Sequence, residues 1–199
     1  KVMGTFLTWL PYNNLIFSER KKKFAQITVM KCPEEVKFDG GKIVQNVVSG
    51  LGLKNGYMQI EIFVDSYGQP TICEFAWRTA GEHMLSNQSL AFGVDVCSLL
   101  VDIMVGRVIK PLPSQGQKCV GDMFLPLSDG IVTRISTYED LYNLEGVIGG
   151  SINYRVGDVI RSKRQYTSCA GWIQVEGQTA EEVLNRMLKV YDKFRIVTN

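Results

Sequence analysis

A hairpin that carries one acidic residue in each strand is the feature that most constrains this chain. Residues 58–77 read MQIEIFVDSYGQPTICEFAW, in which the turn signal DSYGQP separates two strand-like apolar runs. Glu61 and Glu74 are equidistant from the point between Tyr67 and Gly68, so a symmetric hairpin makes them direct cross-strand partners. The Cβ atoms of such partners lie roughly 4.5–5.5 Å apart, and like charges placed there repel.

A divalent cation bound by both carboxylates would remove this repulsion. Alternation places Gln59, Glu61 and Phe63 on one face of the first strand. Magnesium suits the pair, because it takes one or two carboxylates and completes its shell with water and phosphate oxygens; manganese is the alternative metal. Two other interpretations stay open: the acids lie on a solvent-exposed edge where salt screens their repulsion, or Pro70 introduces a bulge that breaks the register.

Residues after the second acid extend the pattern toward anion binding. Arg78 follows Glu74 by four positions, and Gly81 follows Arg78 by three. An arginine beside a metal-binding carboxylate pair suits a phosphoryl oxygen, and a glycine lets a backbone N–H approach an anion closely. His83, the only histidine, is a candidate for contacting the substrate or acting as a base; the alternative is a helix-entry histidine bonded to a backbone carbonyl. The candidate catalytic residues are Arg78, Gly81 and His83.

The remaining patterns predict an α+β fold. Strands are predicted at VMGTFLTWL, LIFSE and FAQITVMK within residues 2–31. Three helices are predicted next: one over residues 33–53, one through MLSNQSLAF to Gly93, and one from an Asp95 cap to Gly106. Short strands follow near CVGDMFLPL, GIVTRIS, SINYR, DVIRSKR and CAGWIQVEG, and Thr179 opens a capping box for a final helix. We therefore expect an antiparallel sheet with flanking helices and a small β-rich C-terminal lobe that ends in a helix.

Composition excludes several classes of partner. The 199 residues are 45% hydrophobic, enough for a core, and the net charge of +2 comes from interspersed acids and bases. No nucleic-acid or membrane partner is therefore expected. No apolar stretch approaches the roughly 20 residues of a membrane span. Five cysteines without a CxxC pair indicate neither a zinc site nor a disulfide framework, which fits a reducing, cytoplasmic location.

The order of these motifs resembles the ATP-grasp superfamily, and more closely its amino-acid ligase branch. The similarity is carried by Glu61 before the hairpin turn, Glu74 after it and Arg78 four residues on. It continues through FGVDVCSLLVDIMVGR, GIVTRISTYEDLYNLEGV and YRVGDVIRSKRQYTSCAGWIQVEGQTAEEVLNRM. The resemblance implies that residues 1–110 form part of the large lobe of an ATP-grasp domain and that residues 111–199 form a C-terminal lobe packed on it.

A protein of this family would use ATP with Mg²⁺ or Mn²⁺. The resemblance implies that Glu61 and Glu74 coordinate the magnesium ions that bridge the ATP phosphates. It also implies that Arg78 stabilises the transferred phosphate and that the Gly81 amide faces an acyl-phosphate. The implied reaction phosphorylates a substrate carboxylate, releases ADP and transfers the acyl group to an amine. The implied partners are these small molecules, the remaining domains of the parent protein and a second copy in a homodimer.

Two departures from the family pattern affect these expectations. Many ATP-grasp enzymes carry Asn two residues after the second acid, whereas this chain has Ala76. The sequence also shows no glycine-rich phosphate loop and no strand pair with an ATP-clamping lysine, and GGK at residues 40–42 lacks the P-loop spacing. We expect the missing domains to precede Lys1 in the native protein and this fragment alone to be inactive. The alternatives are a carbamoyl-phosphate-synthase-like or biotin-carboxylase-like subunit, and a non-catalytic binding module that kept the fold.

Overall fold

The computed structural model of the protein describes residues 2–9, 25–29, 39–81, 83–161 and 169–199. Its elements in chain order are β1 (Leu7–Trp9), β2 (Ala25–Val29), α1 (Gly40–Gly50), β3 (Gln59–Val64), β4 (Pro70–Ala76), α2 (Met84–Phe92), α3 (Val96–Met104), β5 (Cys119–Leu125), β6 (Gly130–Ile135), α4 (Tyr138–Tyr142), β7 (Val147–Ile152), β8 (Val159–Ile160), β9 (Gly171–Gly177), α5 (Ala180–Lys193) and β10 (Ile196–Thr198). The predicted strand LIFSE lies outside the described residues.

The chain divides into two compact units. Unit 1 combines Lys1–Leu7 with Val29–Gln117, and unit 2 combines Thr8–Thr28 with Lys118–Asn199. Helices occur beside antiparallel strand pairs in both units. The predicted α+β class is therefore confirmed.

The helices of unit 1 begin and end at residues that cap them. The Asp39 carboxylate accepts a hydrogen bond from the backbone N–H of Lys42 at 3.1 Å, so α1 starts directly after Asp39 although two glycines open it. α2 ends at Gly93, whose φ is 66°, and α3 begins after its N-cap Asp95. The predicted boundary between these two helices is confirmed. No single helix in the described ranges is long and apolar enough to cross a membrane, but α2 and α3 pass that test as a pair bent by 108°.

The core of unit 2 lies between a sheet and its last helix. The sheet has the strand order β1-β2-β5-β9-β7, and its β2–β5, β5–β9 and β9–β7 pairs are antiparallel. α5 packs on β5 and β9. The apolar stripe of α5 includes Val183, Met187 and Val190, all fully buried, and β9 contributes Ile173 and Val175. The predicted final helix is therefore confirmed and covers the sheet.

Short elements account for the differences from the predicted fold. A second sheet has the order β10-β6-β8, so a three-residue strand follows the final helix. β7 begins at Val147, earlier than the predicted strand SINYR. α4 was not predicted, although the hydroxyl of Thr137 accepts the Asp140 N–H at 3.2 Å and the Asp140 carboxylate accepts the Thr137 N–H at 2.8 Å. A helix of five residues is too short to show a periodic apolar pattern.

Candidate functional site

The β3–β4 hairpin places the two acids directly opposite each other. Glu61 is the cross-strand partner of Glu74, and Gln59 is the partner of Ala76. Direct partners lie on the same face of an antiparallel ribbon, so Gln59, Glu61 and Glu74 share one face. The predicted pairing of Glu61 with Glu74, hereafter the acid pair, is confirmed.

A tight turn closes this hairpin. The N–H of Asp65 donates to the carbonyl oxygen of Gln69 at 3.0 Å. The Asp65 carboxylate accepts the N–H groups of Tyr67 and Gln69, each at 2.8 Å. Gly68 has a φ of 78°, a left-handed conformation that glycine adopts without steric cost. The turn is therefore centred on Tyr67, rather than between Tyr67 and Gly68 as the symmetric hairpin required.

A bulge in β4 restores the pairing of the acids. Ile62 pairs with Ile72, so an uninterrupted ladder would place Cys73 opposite Glu61. The register shifts beside Glu61 instead, and Cys73 is the extra residue before Glu74. The turn and the bulge each move the register by one residue, in opposite senses. The alternative interpretation, in which a bulge introduced by Pro70 breaks the register, is therefore wrong: the bulge lies at Cys73, and the two acids remain paired.

Gln59 connects Glu61 to Arg78 by hydrogen bonds. Its Nε2 donates to Oε1 of Glu61 at 3.1 Å, and its Oε1 accepts from Nη1 of Arg78 at 3.0 Å. The same Nη1 also donates to the carbonyl oxygen of Thr79 at 2.7 Å. β4 ends at Ala76, which lies opposite Gln59. Arg78 is two residues further along the chain and is therefore close enough to hydrogen-bond to Gln59. One face of the hairpin thus carries a carboxylate, an amide and a guanidinium in a row.

The charges on this face have no ionic partner among the described residues. The ion pairs among the described residues involve other side chains, and none of them includes Glu61, Glu74 or Arg78. Glu74 and Arg78 are exposed, whereas Glu61 is half-buried. Two carboxylates without an ion-pair partner among the described residues are suited to a bound cation, and a guanidinium in the same situation is suited to a bound anion.

Comparison with known proteins finds ligases among the proteins that this chain resembles. Residues 123–199 match the family model described as L-amino acid ligase C-terminal domain 2. The crystal structure of L-amino acid ligase from Bacillus licheniformis matches with a TM-score of 0.69 at 20% identity, over 88% of this chain and 44% of that chain. Phosphoribosylglycinamide synthetase from Anaerococcus prevotii gives a TM-score of 0.69 at 12% identity, over 88% of this chain and 45% of that one.

A third solved structure was determined with nucleotide. The biotin carboxylase domain of the Hydrogenobacter thermophilus 2-oxoglutarate carboxylase, in complex with MgADP, ADP and bicarbonate, matches with a TM-score of 0.60 at 15% identity, over 87% of this chain and 39% of that chain. No curated protein matches the sequence. All three solved structures are ATP-grasp proteins.

The chain has the ATP-grasp fold. The predicted resemblance to this superfamily is confirmed, and the match of residues 123–199 agrees with its amino-acid ligase branch. The chain spans less than half the length of the solved ATP-grasp structures described above.

The acid pair of this ATP-grasp hairpin fits a magnesium ion. Among the described residues, no group of three or more His, Cys, Asp or Glu side chains could hold a metal. Magnesium does not require such a cage, because one or two carboxylates suffice when water and phosphate oxygens complete its octahedral shell. The acid pair meets this requirement. Ala76, on the same face, supplies no ligand atom from its side chain.

Gly81 and His83 lie in the segment between β4 and α2. A Cβ added to Gly81 would meet no atom within 4 Å, so its backbone borders open space. His83 is half-buried and directly precedes α2, and its carbonyl oxygen accepts the N–H of Asn87 at 2.9 Å. The hydrogen bonds that join Arg78 to Gln59 include neither of these residues. The roles of Gly81 and His83 therefore stay predictions.

Gln59 is the site residue that the sequence reasoning did not select. Alternation along the first strand already placed it on the face of Glu61. The symmetric hairpin that pairs Glu61 with Glu74 also pairs Gln59 with Ala76, so the location of Gln59 could be predicted from the sequence. Its contact with Arg78 was not, because that residue lies beyond the strand end, where no register rule applies.

The opposite face of the hairpin borders a cavity within unit 1. The cavity has a volume of about 800 Å³, and the hairpin lines it with Met58, Ile60, Ile62 and Trp77. Ile60 and Ile62 alternate with Gln59 and Glu61 along β3, and Met58 directly precedes that strand. The hairpin therefore presents apolar side chains to the cavity on one face and the charged candidate site on the other.

Proposed function

We propose that this chain is the C-terminal half of an ATP-dependent, ADP-forming carboxylate–amine ligase of the amino-acid ligase type. The observation that carries the proposal is the acid pair: Glu61 lies opposite Glu74 in one hairpin, and Gln59 links Glu61 to Arg78 by hydrogen bonds. The ATP-grasp fold and the family match of residues 123–199 support the choice of reaction.

The acid pair would hold magnesium or manganese in this enzyme. The bound metal would supply positive charge to the phosphates of ATP. Neither carboxylate forms an ion pair with another residue in the described part of the chain. Glu61 is further oriented by the Gln59 amide, which fixes one of its two oxygens.

Arg78 would bind the phosphoryl group that is transferred. Its Nη1 is held by the Gln59 amide oxygen and the Thr79 carbonyl, which orients the planar guanidinium. The Nε and Nη2 donors then remain for the phosphate oxygens, whose negative charge is redistributed during transfer. An oriented donor stabilises the transition state without reorganising at the moment of reaction.

The proposed reaction has two steps. A carboxylate oxygen of the first substrate attacks the γ-phosphorus of ATP, ADP leaves, and an acyl-phosphate forms. The amine of the second substrate then attacks the acyl carbon, and inorganic phosphate leaves. The Gly81 N–H would donate to the acyl oxygen, since the space beside Gly81 is open. His83 would contact the substrate or accept the proton that the amine loses.

The remaining functional expectations belong to the same proposal. Residues 1–110 would be part of the large lobe and residues 111–199 the C-terminal lobe, and further domains of the parent protein would supply the ATP-clamping residues that the sequence lacks. The fragment alone would be inactive for that reason. Closure of such domains over ATP would exclude water from the acyl-phosphate. A homodimer is also proposed.

Phosphate release by the full-length natural protein tests the ligase. The assay supplies ATP, magnesium and a panel of amino acids, other carboxylates and bicarbonate. We expect release that depends on one carboxylate and falls at least roughly 100-fold in Glu74→Gln, which removes a metal ligand. The matched control is Glu181→Gln, an exposed glutamate in the first turn of α5. Undiminished release in a folded Glu74→Gln variant would contradict the metal assignment.

A second candidate function is a carboxylase-like or carbamoyl-phosphate-synthase-like reaction, in which the carboxylate is bicarbonate. It is favoured by the similarity to the domain from Hydrogenobacter thermophilus that was solved with MgADP and bicarbonate. Release with bicarbonate alone would select it over the amino-acid ligase. A folded protein that releases no phosphate with any member of the panel would support a non-catalytic binding module.

A further inference from the structure

We infer that Gln59 is a positioning residue that keeps Arg78 beside the acid pair without letting the two form an ion pair, so that cation binding and anion binding at this face are coupled. This role rests on the proposed function of the acid pair as a metal site. It goes further by assigning a residue that neither the hairpin pattern nor the family resemblance singled out.

The amide of Gln59 is chemically suited to its two contacts. It donates through Nε2 to the Glu61 carboxylate at 3.1 Å and accepts through Oε1 from Arg78 at 3.0 Å. An ionised glutamate has no donor for Glu61, and a lysine has no acceptor for Arg78. Glutamine satisfies a carboxylate and a guanidinium at once without adding charge.

The position of Gln59 makes it the fixed part of this row. It lies within β3, is half-buried and pairs with the small residue Ala76 across the hairpin. Arg78 is exposed and lies outside the strand. A long exposed side chain loses rotamer freedom when it binds a ligand. Holding Nη1 beforehand on Gln59 and Thr79 reduces that loss.

The same contact also keeps opposite charges apart. Arg78 and Glu61 both bind Gln59, yet they form no ion pair with each other in the described part of the chain. If the amide were removed, the guanidinium could move onto a carboxylate of the acid pair. That ion pair would occupy the metal ligand and the anion-binding group together, so both ligands would bind more weakly.

Coupling between the two ligands follows from the net charge of the row. The acid pair and Arg78 together carry one net negative charge, and a bound divalent cation changes this to one net positive charge. The cation therefore favours anion binding at Arg78, and by linkage the anion favours cation binding by the same factor. The coupling depends on Arg78 staying near the acid pair, which is the role assigned to Gln59.

Two binding measurements on the full-length natural protein test this role. Electron paramagnetic resonance reports the affinity for Mn²⁺ alone, and calorimetry reports the affinity for a non-hydrolysable ATP analogue, which carries the γ-phosphate assigned to Arg78, with and without Mn²⁺. We expect Gln59→Ala to weaken both ligands by about tenfold, as for loss of a hydrogen bond to a charged group. Gln69→Ala is the control on the same hairpin, since only backbone atoms of Gln69 hydrogen-bond to Asp65, and it should change neither affinity by more than about twofold.

Gln59→Glu separates positioning from a merely structural role. It keeps an acceptor for Arg78 but adds a third carboxylate beside Glu61. We expect Mn²⁺ to bind more tightly and the ATP analogue more weakly, a change of opposite sign that loss of packing would not produce. Circular dichroism spectra identical to those of the unmodified protein establish that each variant is folded.

Glu74→Gln distinguishes failure of this role from failure of the proposed function. If Glu74→Gln loses Mn²⁺ binding while Gln59→Ala keeps both affinities within about twofold, the acid pair stands as a metal site and the role of Gln59 is overturned. If Glu74→Gln binds Mn²⁺ as tightly as the unmodified protein, the metal assignment fails and the role of Gln59 fails with it.

Discussion

The hydroxyl of Tyr57 shows how a single contact stabilises the interior behind the site. It donates to Oε1 of Gln88 at 2.6 Å, and Gln88 is only 3% exposed. Burial raises the pKa of Tyr57, and the hydrogen bond to Gln88 lowers it by less. The neutral phenol is therefore the form that the fold favours.

Tyr57→Phe tests this contact. The change leaves a buried acceptor on Gln88 without its donor, so we expect the free energy of unfolding to fall by about 1–3 kcal/mol. Because the folded-state pKa of Tyr57 is raised, its stabilising contribution is present below pH 10 and is lost as the pH rises through that pKa. Urea denaturation at neutral and alkaline pH measures both effects. A variant as stable as the unmodified protein at neutral pH would contradict the assigned contact.

At this scale, the sequence predicted the acid pair and Arg78 as one group and the structure brings them together. The missing member was Gln59, because a neutral side chain gives no charge conflict to explain. Residue patterns therefore identify charged groups that need partners more readily than the amides that orient them.

At the scale of elements, the register of the β3–β4 hairpin is set by two features together, its turn and its bulge. The turn at Tyr67 and the bulge at Cys73 each shift the ladder, and only their combination places the acids opposite each other. A one-residue slip moves a side chain to the other face of the ribbon. Glu74 would then lie on the cavity-facing side of the hairpin instead of opposite Glu61.

Two single-residue deletions test the bulge. Deleting Cys73 removes the extra residue, and a regular ladder then still pairs Glu61 with Glu74, so we expect Mn²⁺ binding to persist. Deleting Phe63 from the other strand moves Glu61 out of register, so we expect Mn²⁺ binding to be lost. Phe63 is 62% exposed and contributes little packing, which makes it a suitable counterpart. Equal Mn²⁺ affinities in the two deletion variants would rule out the bulge as the device that sets the register.

Elements with a cap and a periodic stripe were predictable, and short elements were not. Gly93 predicts the end of α2, and Asp95 predicts the start of α3. α4 is held by the reciprocal contacts of Thr137 and Asp140 within five residues, and β10 has three residues. The cap of α4 is local, but five residues are too few to show a periodic apolar pattern. The position of β10 depends on its tertiary pairing with β6.

For the molecule as a whole, the family match and the candidate chemistry lie in different units. Residues 123–199 belong to unit 2, whereas Gln59, the acid pair and Arg78 belong to unit 1. The matched segment therefore does not contain the residues proposed for catalysis. Substitutions in one unit can be used as controls for measurements on the other.

Arg186 provides such a control. Its guanidinium binds the carboxylates of Glu145 and Glu182 and the carbonyl oxygen of Glu176, and its side chain is 15% exposed. We expect Arg186→Met to lower the free energy of unfolding by about 1–3 kcal/mol without changing Mn²⁺ affinity at the acid pair. Denaturation and paramagnetic resonance on the same variant measure the two effects.

Acid pH should reduce the effect of this substitution. The hydrogen bond from Arg186, and then its charge, lower the pKa of Glu145. A lowered folded-state pKa means that the contribution is present above the unfolded-state pKa and is lost as the pH falls through the folded-state pKa. The stability difference between Arg186→Met and the unmodified protein should therefore shrink in acid. A difference that grows on acidification would contradict the contact.

The extra residue at Cys73 also bears on how chains of this kind can diverge. Because a bulge can take up or release one residue, the segment between the two acids can change in length while both carboxylates still meet on one face. Homologous hairpins could then differ by an insertion or deletion and keep the same chemistry. A search pattern with a fixed spacing between the acids would overlook such relatives, whereas one that allows a one-residue gap before the second acid would retain them.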